Sequence, residues 1–192
     1  MSYIEKYLWS IKPITTPVVR KNCPKCNEKT NYINSKKFRV NANKSNIDIW
    51  LIYQCEKCKT SWNMDIYERA KTGSISPNKY NEFMQNNKEL AEQYGFDIDI
   101  HNKNKVDLRI KEVVYEVKKI KIQQEESVRG EILIEIKCKY PCGIRIDRLL
   151  SDNLNISRKN VKEMYEEGNI FIENSKNNLN VRVGDGMIIH II

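Results

Sequence analysis

Two C-x-x-C pairs, Cys23-Pro24-Lys25-Cys26 and Cys55-Glu56-Lys57-Cys58, constrain this 192-residue chain more than any other feature. Each pair can close a tight turn that points two sulfurs at one ion. Two such turns supply the four thiolates of a tetrahedral Zn²⁺ site. Redox chemistry of the thioredoxin kind is a weaker rival, because it calls for one C-x-x-C ahead of a helix in a βαβ pattern.

The pairs stand 28 residues apart, and the residues between and after them alternate as strands do. Phe38, Val40 and Ala42 alternate with Arg39, Asn41 and Asn43. Ile47, Ile49, Leu51 and Tyr53 alternate with Asp48, Trp50, Ile52 and Gln54, and Trp62, Met64 and Ile66 with Asn63, Asp65 and Tyr67. Turn, hairpin, turn and third strand describe a zinc ribbon with a three-stranded antiparallel sheet. Cys23, Cys26, Cys55 and Cys58 are the expected ligands of one structural Zn²⁺. Four cysteines leave no position for water, which disfavours zinc catalysis. Structural zinc supplies on the order of 10–16 kcal/mol of folding energy, enough to order a module with a small core. Cys138 and Cys142, at the end of another alternating strand, lack partners for a second site, since His101 and His190 are the chain's two histidines. They read as core or near-surface thiols.

Beyond the ribbon, Ser76-Pro77 has the form of a helix start. Tyr80, Phe83, Met84, Ala91 and Tyr94 recur at helical spacing until Gly95, with Asn86-Asn87 interrupting the stripe, so the segment is one helix or two short ones. From Val106 to Tyr140 the pattern returns to alternation, with a turn near Glu125–Gly130. A β-hairpin or small sheet is expected there. The last 49 residues give two amphipathic helices, with apolar faces at Ile146, Leu149, Leu150 and Leu154 and at Val161, Met164 and Tyr165. Ser157 caps the second, Gly168 ends it, and strands follow at Asn169–Glu173 and at the C-terminus. The expected fold class is α+β, divided into a ribbon at 1–75, a helix and hairpin connector at 76–143, and a small α+β domain at 144–192.

That last domain resembles the alpha-L RNA-binding motif shared by a ribosomal small-subunit protein, ribosomal pseudouridine synthases and bacterial tyrosyl-tRNA synthetases. The matching pieces are Arg145-Ile146-Asp147 with Leu149-Leu150, the Ser157-Arg158 helix start, Gly168 before Ile170-Phe171-Ile172, and Val183-Gly184-Asp185. The chain as a whole resembles an uncharacterised bacterial family that joins an N-terminal Cys₄ ribbon to such a domain. Its ribbon pattern is matched here by Lys37-Phe38-Arg39-Val40-Asn41-Ala42 and Thr60-Ser61-Trp62-Asn63. The resemblance implies RNA contact through Arg145, Arg148, Arg158, Lys159 and Lys162. A polar loop from Glu173 to Asn178 is longer than the short turn usual in that motif.

Charge bears on the same question. The chain carries 33 Lys+Arg against 25 Asp+Glu, a net charge of +8, which favours polyanion partners, although a Lys-, Asn- and Ile-rich composition raises lysine without any partner. The excess lies in residues 1–75, where Lys36, Lys37 and Arg39 sit among Tyr32, Phe38, Trp50 and Tyr53, aromatics that can stack on bases or fill the sheet. Residues 144–192 are neutral overall, so RNA contact there requires segregated charge. Arg158, Lys159 and Lys162 crowd the first half of a helix and Glu166 and Glu167 its end, against the helix dipole.

The functional expectation is a non-enzymatic zinc protein that binds structured RNA, ribosomal or transfer RNA. A protein-interaction adaptor using ribbon and connector strands is the alternative. An RNA-modifying enzyme is a lesser one, since no glycine-rich cofactor loop, nucleophile with histidine base or open metal site is legible. The N-terminus lacks the apolar run of a signal peptide, and the longest apolar stretch, Ile49–Tyr53, is far short of a membrane span. The expectation is a cytoplasmic protein with no membrane partner.

Overall fold

The computed structural model describes residues 2–127, 130–173 and 178–192 and shows a mixed α+β protein with two five-stranded sheets and few helices. In chain order the elements are β1 (Ser2–Pro13), β2 (Val19–Cys23), β3 (Glu28–Asn43), β4 (Asn46–Cys55), β5 (Ser61–Lys71), α1 (Pro77–Met84), α2 (Lys88–Phe96), α3 (Ile98–Lys103), β6 (Asp107–Leu108), β7 (Tyr115–Ser127), β8 (Glu131–Cys138), α4 (Ile146–Leu154), α5 (Arg158–Glu166), β9 (Ile170–Glu173) and β10 (Ile188–Ile191). They form two units, Thr15–Val113 and Met1–Ile14 with Val114–Ile192.

The cysteine-bearing unit, Thr15–Val113, is built on an antiparallel sheet of order β5-β4-β3-β2-β6. The three strands expected around the cysteines are β3, β4 and β5, joined here by β2 and β6 in a sheet of five. Phe38, Ile47, Ile49, Leu51, Tyr53, Met64 and Ile66 all turn to the buried face, as period-two alternation requires. Phe83 of α1 meets the Phe38 ring edge-on at 4.9 Å and stacks on Tyr94 of α2 at 5.8 Å. The helical segment is two helices, and Asn86 and Asn87 are why. Asn86 adopts φ 52° and closes α1, while the Asn87 side chain accepts from Leu90 N and opens α2. Asn86 Oδ1 also accepts from Phe38 N at 2.6 Å, fastening the break to the sheet.

The other unit, Met1–Ile14 with Val114–Ile192, overturns one expectation. β7 and β8 do not form a hairpin: the sheet order is β7-β1-β8-β10-β9, with β1 antiparallel to β7 and parallel to β8. Trp9 and Ile11 of β1 are buried with Ile134, Ile136 and Cys138 of β8, so the N-terminal strand supplies the central apolar row that β7, exposed along most of its length, does not. The division at 75 and 143 is corrected accordingly. β1 leaves the cysteine module, α1–α3 and β6 join it, and β7 and β8 belong with the C-terminal elements. The turn expected near Glu125–Gly130 includes residues 128–129, outside the described residues, as are residues 174–177 of the polar loop.

α4 and α5 contribute Ile146, Leu149, Leu150 and Val161, each 1% exposed or less, to this unit's core. Ser157 Oγ accepts from Asn160 N to cap α5, and Gly168 follows that helix at φ +80°, a conformation that a side chain would strain. Cys138 and Cys142 are buried in the same core. Burial pushes both thiols up, Cys138 to about 11.

Candidate metal centre and basic cleft

The first cysteine of each C-x-x-C ends a strand and the second lies in the following turn: Cys23 closes β2 and Cys55 closes β4. Each turn is finished by a residue in the left-handed region, Asn27 at φ 52° and Lys59 at φ 63°. In the second turn Lys59 N donates to Cys55 O at 3.0 Å and Cys55 N to Thr60 O at 2.9 Å. The four sulfurs lie within 4.8 Å of one another, with Cys23 and Cys58 at 3.5 Å and Cys26 and Cys55 at 4.0 Å. Four sulfurs at tetrahedral corners about 2.3 Å from a metal would stand roughly 3.8 Å apart. These cysteines could hold a metal ion.

The thiols differ before any ion is considered. A hydrogen bond from Tyr32, with further bonds from the Cys26 and Lys25 backbone and from Cys58, brings Cys23 down to about 6. Cys26, hydrogen-bonded to Cys58 and partly desolvated, is pushed up to about 12. At Cys55 burial pulls upward, but backbone hydrogen bonds from Cys58 and Lys57 and one from Thr30 outweigh it and lower the thiol. A cation among them would favour the thiolate at every position.

Around this centre the expected stacking aromatics divide. Tyr32, Phe38 and Tyr53 are core residues, whereas Trp50 is half-buried, donates Nε1 to Asp65 at 2.6 Å and lies under the Arg39 guanidinium at 5.8 Å. Lys36, Lys37 and Arg39 are exposed on β3. Lys36 takes φ 59° where the β3–β4 register shifts between Asn34 and Lys37. None of the ion pairs among the described residues involves these three cations.

The other basic residues converge. A cleft of about 420 Å³ is lined by Arg145 and Asp147 at the start of α4, by Arg158, Lys159, Lys162, Tyr165 and Glu166 of α5, and by Asn178, Leu179 and Asn180. The last three are brought in by backbone pairing, Asp147 N to Leu179 O at 3.2 Å and Ile146 N to Val181 O at 3.1 Å. Four of the five cations expected in this region thus share one site. Arg148 is not among the lining residues and pairs with Asp152 at 3.4 Å.

Asp147 organises the cleft. Its side chain, 10% exposed, accepts from Arg145 Nη2 at 2.9 Å, from Arg158 Nε at 3.2 Å and from Arg148 N at 2.8 Å. Burial raises its carboxyl, but the Arg158 hydrogen bond, the Arg148 N–H and the two positive charges win and hold it below the ordinary range. Lys159 pairs with Glu163 at 3.5 Å and Lys162 with Glu166 at 3.3 Å. Exposed pairs of this kind contribute only about 0.2–0.5 kcal/mol, so a phosphate can displace the carboxylate. Sequence patterning marks the cations but not Asn178 and Asn180, which reach the site only through tertiary pairing. Asp147 is legible solely as the third residue of Arg145-Ile146-Asp147.

His101, one of the chain's two histidines, is fully buried. Its Nδ1 lies 2.7 Å from Asp97 O and its Nε2 3.2 Å from the Tyr53 hydroxyl. Both ring nitrogens are thus engaged in the core.

A family model described as "Protein of unknown function (DUF1062)" matches residues 40–176. The matched span includes the second cysteine pair and the α4–α5 cations, while Cys23 and Cys26 precede it. No curated protein and no solved structure matches the chain. No helix among the described residues is long and apolar enough to cross a membrane.

Proposed function

The chain belongs to the DUF1062 family of proteins of unknown function, and on that premise we propose that it is a non-enzymatic, zinc-containing protein that binds structured RNA. The observation that carries this reading is the cleft, in which Arg145, Arg158, Lys159 and Lys162 converge on about 420 Å³. Under this reading α4, α5, β9 and β10 form an alpha-L RNA-binding domain, and β2–β5 with the four cysteines form a zinc ribbon. Zinc bound by Cys23, Cys26, Cys55 and Cys58 supplies folding energy and presents no open position to a substrate. Lys36, Lys37 and Arg39 add a second set of exposed cations on β3.

Affinity for a structured RNA such as transfer RNA, measured by fluorescence anisotropy across a salt series, tests this. The logarithm of the association constant should fall linearly with the logarithm of salt, and removing Arg158 or Lys162 should reduce that slope by about 1 each. A salt-insensitive interaction, or none, contradicts it.

A second reading, a protein-interaction adaptor, is favoured by β7. It is an edge strand of its sheet and exposes Ile120 and Ile122, so another chain could extend the sheet there. Partners recovered by affinity capture after nuclease treatment would support that role.

A further inference from the structure

The cleft is built for something flatter and smaller than a helical RNA surface. Asp147 holds the two guanidiniums that line it, Arg145 through Nε at 3.1 Å and Nη2 at 2.9 Å, and Arg158 through Nε at 3.2 Å. Fixed on a nearly buried carboxylate, they present planar cationic faces, the kind on which unpaired bases stack. Tyr165, half-buried on the unit's core, and the buried Leu179 add apolar surface. Asn178 Oδ1 accepts from Asn180 N at 2.8 Å, and Asn180 Oδ1 accepts from Arg145. The two amides, and Glu166 paired with Lys162 at 3.3 Å, add polar groups to the lining. Lys159 and Lys162 are the most exposed cations of the lining, with side chains 84% and 71% accessible.

Aromatic and guanidinium planes, amide groups and outlying ammonium groups match the base and phosphate of one nucleotide. The size agrees. At about 420 Å³ the cleft lies near the lower end of the roughly 300–1,000 Å³ of small-molecule pockets and is far too small for a base pair with its two backbones. We infer that the cleft takes a single unpaired nucleotide of the bound RNA, with its base against Tyr165 and the guanidiniums of Arg145 and Arg158 and its phosphate on Lys159 and Lys162. This rests on the RNA-binding reading and narrows it to RNAs with a bulge, a loop or an end.

Two RNA duplexes, identical except that one carries a single bulged nucleotide, distinguish the possibilities when titrated into the full zinc-loaded chain. The bulged duplex should bind about fivefold tighter or more, the range expected for stacking one base. Tyr165→Phe should keep that preference. Tyr165→Leu, with a far-UV circular dichroism melt showing it folded, should abolish the preference. Should Tyr165→Leu fail to fold, 2-aminopurine at the bulge gives the same answer in the parent protein, because stacking quenches its fluorescence. Equal affinity for the two duplexes, a preference that survives Tyr165→Leu, or 2-aminopurine fluorescence unchanged on binding overturns the inference and leaves RNA binding standing. Failure of both duplexes and of transfer RNA to bind overturns the broader reading and this one with it.

Discussion

Asp147 Oδ2 and Arg158 Nε lie 3.2 Å apart, joining the first turn of α4 to the first turn of α5. Because Arg145 shares the same carboxylate, one anion and two cations leave a net positive charge beside the cleft. The carboxylate sets the orientation of both guanidiniums, so it links the packing of two helices to the chemistry of the site.

Asp147→Asn should therefore destabilise the protein by about 1–3 kcal/mol, the cost of replacing a nearly buried carboxylate by an amide that matches its donors poorly. Chemical denaturation at neutral pH measures it. Acid supplies an independent check. The Asp147 carboxyl is held below its ordinary 3.8, so its linked stability is complete above about pH 4 and is lost as pH falls through the lower folded value. The Asn variant should lack that part of the acid dependence.

The proposed zinc site gives a second prediction. Elemental analysis of the purified chain should give one zinc per molecule, released by a thiol reagent in a titration that consumes four thiols. Cys55→Ser should lose the metal and, with it, the cooperative unfolding transition of residues 15–113. Retention of both metal and transition in that variant would contradict the assignment.

His101 gives a pH dependence of opposite origin to a salt bridge. Buried and bonded to Asp97 O and Tyr53, it has a pKa lowered from 6.5, chiefly by burial. The unfolded chain therefore takes up a proton at higher pH than the folded one. Stability is complete above about pH 6.5 and declines as pH falls below it. Melting temperatures between pH 7 and pH 5 should show the decline, and His101→Gln should flatten it.

Much of this architecture was legible because it is local. Alternation at Phe38–Ala42, Ile47–Tyr53 and Trp62–Ile66 marked β3, β4 and β5, and Ser157 and Gly168 bracketed α5. The placement of β1 was not legible, because a parallel pairing of Ile4–Ile11 with Glu131–Cys138 joins segments more than a hundred residues apart and leaves no trace in local periodicity. β7 and β8 look like a hairpin in sequence for the same reason. At the cleft the sequence showed the cations, and Asp147 only as part of Arg145-Ile146-Asp147; its pairing with Arg158, and Asn178 and Asn180 arriving by pairing with α4, were not legible.

Gly95 tests the packing of α2 on its sheet. A Cβ at this position would stand 2.8 Å from Asn34 Nδ2, whose buried amide donates to Ala91 O at 2.9 Å and so has little freedom to retreat. Gly95→Ala, favourable by helix propensity alone, should instead cost about 1–3 kcal/mol through overpacking, read from the denaturation midpoint.

The most direct test of the account is ultraviolet crosslinking in cells, followed by mass spectrometry of the peptide that carries the crosslinked nucleotide. Crosslinks should fall on the 158–166 segment of α5, with Tyr165 the foremost site, and disappear when Arg158 and Lys162 are both replaced by alanine. Recovery of no RNA, or of crosslinks that persist unchanged in the double variant, would contradict it.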